Sequence, residues 1–247
     1  MASLRFGKLP PVHDYRTLRL KNYLLKEQLP PPPPTYDALE QLRQRLPGSA
    51  ITTLFPMDGN DQYGDCTIAA LAHAVTVFHG RLGQKNVMAS QDVIKLYLRL
   101  TKGADTGLVE LDVLNYWRKH AAGGEKIMAY ASIDPKNHTH VQHAIQLFGG
   151  VYLGFQVQEG CEQQFDERTP WIPGKLTASG HAVFATGYDA DGVTVLTWGN
   201  LQKGTWDWWD ECVDEAYALL PWEAMQTGFA PGFNGQQLKH DLSLIVD

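Results

Sequence analysis

NDQYGDCTIAALAHAVTVFHG, residues 60–80, joins a short polar loop to a long apolar segment, and the residue at the junction is Cys66. Ile68, Leu71, Ala72, Val75 and Phe78 recur at steps of three and four, which predicts a buried helix beginning at Cys66. Asp65 stands where an N-cap is expected and Gly80 where the helix should end. A thiol in the first turn of a helix meets unpaired N–H groups and the positive end of the dipole. Both favour thiolate over thiol.

Outward from this helix, the chain divides by texture. Ser90 to Leu100 (SQDVIKLYLRL), capped by Ser90, and about Leu111 to His120 (LDVLNYWRKH) predict two more helices. Val141 to Phe148 (VQHAIQLF) predicts a fourth, closed by Gly149-Gly150. After Gly150 the pattern turns to strands: Val151 to Val157, His181 to Gly187, Val193 to Trp198, and Ala216 to Leu220. Asp189-Ala190-Asp191-Gly192 reads as a hairpin turn. Helices first and strands second imply an α+β layout. No glycine-rich loop opens a helix, so no phosphate cradle is expected.

Residues 1–45 read as an N-terminal arm ahead of a domain spanning 46–247. The arm contains five consecutive prolines, Pro30 to Pro34, which form a stiff polyproline II rod. A short helix is expected within Tyr36 to Leu46. The arm is read as a strap across the back of the domain, with two rivals: a short plug in a cleft, or a partner-docking segment.

Composition narrows the function classes. Hydrophobic residues make up 44% of the 247, charged residues 19%, and the formal net charge is −6. These values suit a globular chain with a substantial core and give no basic footprint for nucleic acid or an anionic membrane. No segment has the length of a transmembrane helix, and the first residues lack the apolar stretch of a secretory signal, so a cytoplasmic location is expected. Three cysteines, Cys66, Cys161 and Cys212, fit a reducing compartment better than a disulfide framework, although a Cys161–Cys212 pair is arithmetically open.

A thiol needs a base. His181 opens a strand after Ser179-Gly180, where its ring can face a cleft while the strand beyond it is buried. NDQYGDCTIAALAHAV resembles the nucleophile segment of papain-like cysteine peptidases, in which a loop delivers the Cys to the start of a central helix. GHAVFATGYDADGVTVLTWG resembles that family's His-Ala-Val, Gly-Tyr and Trp-Gly block. Ala89-Ser90-Gln91-Asp92, the Gly107 to Gly124 stretch and the Ala144 to Val157 run also resemble the family, in order, so the similarity spans roughly residues 50 to 220.

The resemblance implies a two-lobe fold: a helical lobe led by Cys66 and a β-barrel-like lobe carrying His181. It implies Cys66 as nucleophile and His181 as base and later acid. The family's oxyanion-hole Gln, six residues before the Cys, corresponds here to Asn60, and Gln62 is the nearby alternative. The family's Asn, sixteen residues after the His, corresponds to Thr197, directly before Trp198-Gly199; Asn200 is a shifted alternative. Trp198 and Trp206 are placed as substrate-contacting aromatics.

The expected substrate is a peptide or protein, and the expected reaction is amide hydrolysis through a thioester, with neither a cofactor nor a metal. The rivals are an isopeptide or peptidoglycan amidase, and a catalytically inactive peptide-binding or structural module. The cluster His138, His140 and His143 is not read as a metal set, because Asn137-His138-Thr139 ahead of a helix suits a solvated cap loop; His73 and His79 are read as packing residues, and Glu211, Asp214 and Glu215 as a solvated acidic face.

Overall fold

The computed structural model of the chain describes residues 4–222 and 229–245. Helix α1 spans Ala38–Arg45, α2 Ile51–Leu54, α3 Cys66–Arg81, α4 Ser90–Leu100, α5 Glu110–Lys119 and α6 His138–Phe148. Strands β1 (Leu18–Arg19) and β2 (Tyr36–Asp37) lie in the N-terminal arm, and β3 (Ile127–Ser132) lies between α5 and α6. Then come β4 (Val151–Gln158), α7 (Cys161–Asp166), β5 (Leu176–Tyr188), β6 (Gly192–Thr197), β7 (Asn200–Thr205), α8 (Trp206–Cys212), β8 (Val213–Pro221) and α9 (Gly235–Leu244).

The strands form one eight-stranded sheet in the order β1-β3-β8-β4-β5-β6-β7, with β2 beside β5. β1 and β7 end the path without pairing to each other, so the sheet is open where a barrel-like lobe was expected. Successive strand residues point to opposite faces. Tyr152, Phe184 and Leu196 pack against the helices of one core, with Leu71, Val75, Leu114 and Trp117. Val151, Leu153, Val183, Ala185 and Val195 face the other core, with α6 and α8.

Helix α3 is buried from Cys66 through Phe78 on every face, beyond the one-sided stripe the apolar spacing predicts. Its cap differs from expectation too: the Asp65 side chain makes no capping bond and sits fully buried. Ser90 is the first residue of α4 rather than its cap, and its hydroxyl donates to Asp58 Oδ1 at 3.0 Å. His138, His140 and His143 belong to α6 itself, whose cap is the Asn137 side chain. Apolar spacing alone sets that helix start three residues late, because histidine carries little helix preference.

The N-terminal arm is woven into the rest of the chain. β1 pairs with β3, β2 with β5, and α1 buries Leu39 and Leu42 beside α3. Cys66, Cys161 and Cys212 are all buried free thiols. No helix among the described residues is long and apolar enough to cross a membrane.

Candidate active site

The buried start of α3 abuts β5. Cys66, fully buried, receives backbone hydrogen bonds from Ala182 and Gly7, so the thiol lies against the chain neighbour of His181. His181 is also fully buried and sits opposite Phe155 of β4. Its Nε2 shares a 2.8 Å hydrogen bond with Thr197 Oγ1, and its Nδ1 has no hydrogen-bond partner. The tautomer that donates from Nε2 to Thr197 leaves the Nδ1 lone pair free, as a base requires.

The β6–β7 turn sets this bond. Thr197 faces Asn200 across a two-residue turn in which Trp198 (φ 46°) and Gly199 (φ 74°) both adopt left-handed backbone. Such a turn matches the twist of the strands it joins. It lays the Trp198 indole parallel to the His181 ring, centroids 4.5 Å apart, roofing the imidazole. Asn200 does not reach the histidine, since its Oδ1 accepts from its neighbour Leu201 N at 2.9 Å.

Asn60 is buried on the loop before α3, and its amide donates to Asp65 Oδ1. The same nitrogen retains a second N–H. Gln62 is exposed. Asp65 is pushed up to about 8 by burial first and by neighbouring Asp58 second. Asp58 in turn receives Ser90, and its Oδ2 lies 3.4 Å from His73 Nε2, so a buried polar cluster holds the loop that carries Asn60. Trp206 stacks on His138 at 4.2 Å and donates to Asp189 O, away from His181.

Residues 5–9, part of the arm read from the sequence as a strap with a cleft plug as one rival, lie over the site. Arg5 N donates to Asn60 O at 2.8 Å, and the Phe6 ring packs edge-on to His181 at 5.7 Å. Leu108 N donates to Gly7 O at 2.8 Å, Lys8 N to Gly180 O at 3.1 Å, and Leu9 N to Leu108 O at 3.0 Å. Residues 5–9, bridged in parallel to Leu108 at Lys8, therefore cross from the loop before α3 to the start of β5 at Gly180 and His181. The slot is lined by bare backbone: a Cβ on Gly7 would stand 1.7 Å from Gly64 O, and one on Gly107 2.3 Å from Gly7 O.

This covering governs the electrostatics. Burial pushes the Cys66 thiol up to about 12, although the Ala182 and Gly7 N–H groups work against it. Burial pulls His181 down to about 3, with His73 adding to the effect. Both shifts favour the neutral thiol and the neutral imidazole while the cleft is covered.

The arrangement matches solved cysteine proteases in fold. It superposes on xylellain, a cysteine protease from Xylella fastidiosa, with a TM-score of 0.62 and 16% identity, over 88% of this chain and 96% of that one. It superposes on procathepsin B S9 from Trypanosoma congolense with a TM-score of 0.53 and 11% identity, over 88% and 86% of the two chains. No protein-family profile matches the sequence, and neither does any curated protein. The fold is thus the α+β fold of papain-like cysteine proteases, reached by a strongly divergent sequence.

Proposed function

We propose that the chain is a cysteine hydrolase that cleaves peptide amide bonds at Cys66. The observation that carries this reading is the His181–Thr197 hydrogen bond, which holds the imidazole next in the chain to Ala182, whose N–H reaches the Cys66 thiol, and leaves Nδ1 unpartnered. Cys66 Sγ, once deprotonated by His181, attacks the amide carbonyl. The backbone N–H of Cys66, first in its helix and without an intrahelical acceptor, joins the Asn60 amide in holding the oxyanion. His181 then protonates the departing amine, and water hydrolyses the thioester with His181 again as base.

Segment 5–9 occupies the place a substrate strand would take, so turnover requires its displacement. Displacement rehydrates the pair and brings the thiol and imidazole pKa values toward the range where proton transfer is favourable.

The test is alkylation of Cys66 by a peptidyl epoxide near neutral pH, in a Gly7→Ala chain whose segment cannot seat. Rapid labelling that His181→Ala abolishes supports the hydrolase. Labelling no faster than that of free cysteine in solution sinks it, and a peptide-binding module then takes its place.

A further inference from the structure

Asp65 stands where a helix cap is expected and does not act as one. Its side chain makes no bond to the first turn of α3, although an aspartate there ordinarily accepts from the second or third helical N–H. The carboxyl is instead fully buried, and Oδ1 accepts from the Asn60 amide. Oδ2 has no hydrogen-bond partner. It lies against Gly59, where a Cβ would stand 2.7 Å from it and where the backbone is left-handed at φ 102°. A buried acid that forgoes its cap and leaves one oxygen unpaired costs stability, so its placement calls for another explanation.

The explanation lies in the amide it holds. An asparagine side chain keeps nearly the same shape when its oxygen and nitrogen exchange places. Only the nitrogen end can hold an oxyanion, and the oxygen end would repel one. The Oδ1 acceptor selects the nitrogen end and occupies one of its two N–H groups, which leaves the other free. Burial first and Asp58 second push Asp65 up to about 8. Near neutral pH the acid therefore carries its proton, on the unbonded Oδ2, and sets no negative charge beside the thiol. The pair also stands close to Cys66. Asn60 O accepts from Arg5 N at 2.8 Å, and Gly7, two residues on, gives its N–H to Cys66. Two residues of chain span at most about 7 Å.

We propose that Asp65 is a positioning residue of the oxyanion hole: by taking one N–H of Asn60 it aims the other at the carbonyl oxygen that Cys66 attack makes negative. The inference rests on the hydrolase reading, because the oxyanion exists only if Cys66 attacks. It assigns a task to the residue directly before the thiol, which the resemblance to papain-like peptidases leaves without one.

The test compares Asp65 variants in the full-length Gly7→Ala chain, on the peptidyl coumarin amide that this chain cleaves fastest. Asp65→Ala is expected to lower kcat about 10- to 100-fold and to change KM less than about twofold, since the oxyanion forms only in the transition state. Asp65→Leu, close to aspartate in size, replaces it should the alanine variant unfold. Asp65→Asn keeps an acceptor oxygen without charge and is expected to stay within about threefold of its parent. Added to Asn60→Ala, Asp65→Ala is expected to cost nothing further, because the amide it aims is gone. An unchanged kcat, an effect confined to KM, a loss that Asp65→Asn shares, or a loss that adds in full to Asn60→Ala overturns the assignment.

If the Gly7→Ala chain cleaves no amide, the hydrolase reading fails separately. The pairing is then judged by nuclear magnetic resonance of the Asn60 side-chain amide, assigned by its absence in Asn60→Asp. One amide hydrogen shifted downfield in the parent and in Asp65→Asn, with the shift lost in Asp65→Ala, upholds it. A resonance that Asp65→Ala leaves in place overturns it.

Discussion

Thr197 holds the His181 ring through a single hydroxyl, and the consequence can be measured. In Thr197→Val the shape is kept and the hydrogen bond lost, leaving a buried imidazole nitrogen without a partner, at a cost of about 1–3 kcal/mol. In a chain freed of its covering segment, kcat/KM on a peptide amide is expected to fall about 10- to 100-fold, while Thr197→Ser retains most of it. His181 also leaves a mark on stability. Its pKa is about 3 when folded, against 6.5 for an ordinary imidazole, so the unfolded chain takes up the proton first as pH falls. Stability from this residue is therefore full above pH 6.5. It is lost progressively between 6.5 and about 3, at about 1.4 kcal/mol for each pH unit crossed. Acid melting curves of His181→Gln against the parent should show that slope diminished in the variant; an unchanged slope would refute the neutral, buried histidine.

At the scale of elements, two contacts decide how the cleft is built. The covering strand passes Gly64 so closely that Gly7→Ala cannot seat it without shifting backbone. Iodoacetamide is expected to alkylate Cys66 faster in that variant than in the parent, where the thiol is covered and its pKa stands near 12. Peptide mapping of the alkylated chain identifies the residue, and identical rates in the two chains would show that the segment does not guard the thiol. Helix α3, which carries Cys66, is held from behind by α1 through Leu42, packed where a Cβ on Gly80 would stand 2.3 Å from Leu42 Cδ1. Leu42→Ala should cost about 2–5 kcal/mol, measured by urea unfolding. The element pattern itself was readable in part. The helix over Ser90–Leu100 was legible from its apolar spacing apart from the role of Ser90, whereas β7 (NLQKGT) lacks both alternation and β-branched density and takes its strand form from pairing with β6. Glu215 misleads for a related reason. Expected on a solvated face, it lies in β8 in phase with Tyr217 and Leu219, whose side chains enter the helical core. That phase is in the sequence, and it is hidden when the strand is begun at Ala216.

For the whole molecule, three free thiols mean that no covalent cross-link holds the fold. The midpoint of thermal unfolding is expected to be the same with and without reductant, within about 1 °C, and a clear drop on reduction would reveal a Cys161–Cys212 bridge. The sequence by itself determined the helices from Cys66 to Phe148 ahead of the strand-rich stretch after Gly150, the cysteine at the head of the buried helix, and the sixteen-residue interval from His181 to Thr197, because these follow from local periodicity and spacing along one stretch of chain. The tertiary structure alone decided that the sheet stays open, that residues 5–9 cross the cleft, and that Lys8 meets Asp214 from 206 residues away. Those outcomes depend on which surfaces find one another after the elements have formed. Charge pairing and close backbone approach across such separations leave no periodic trace in the chain.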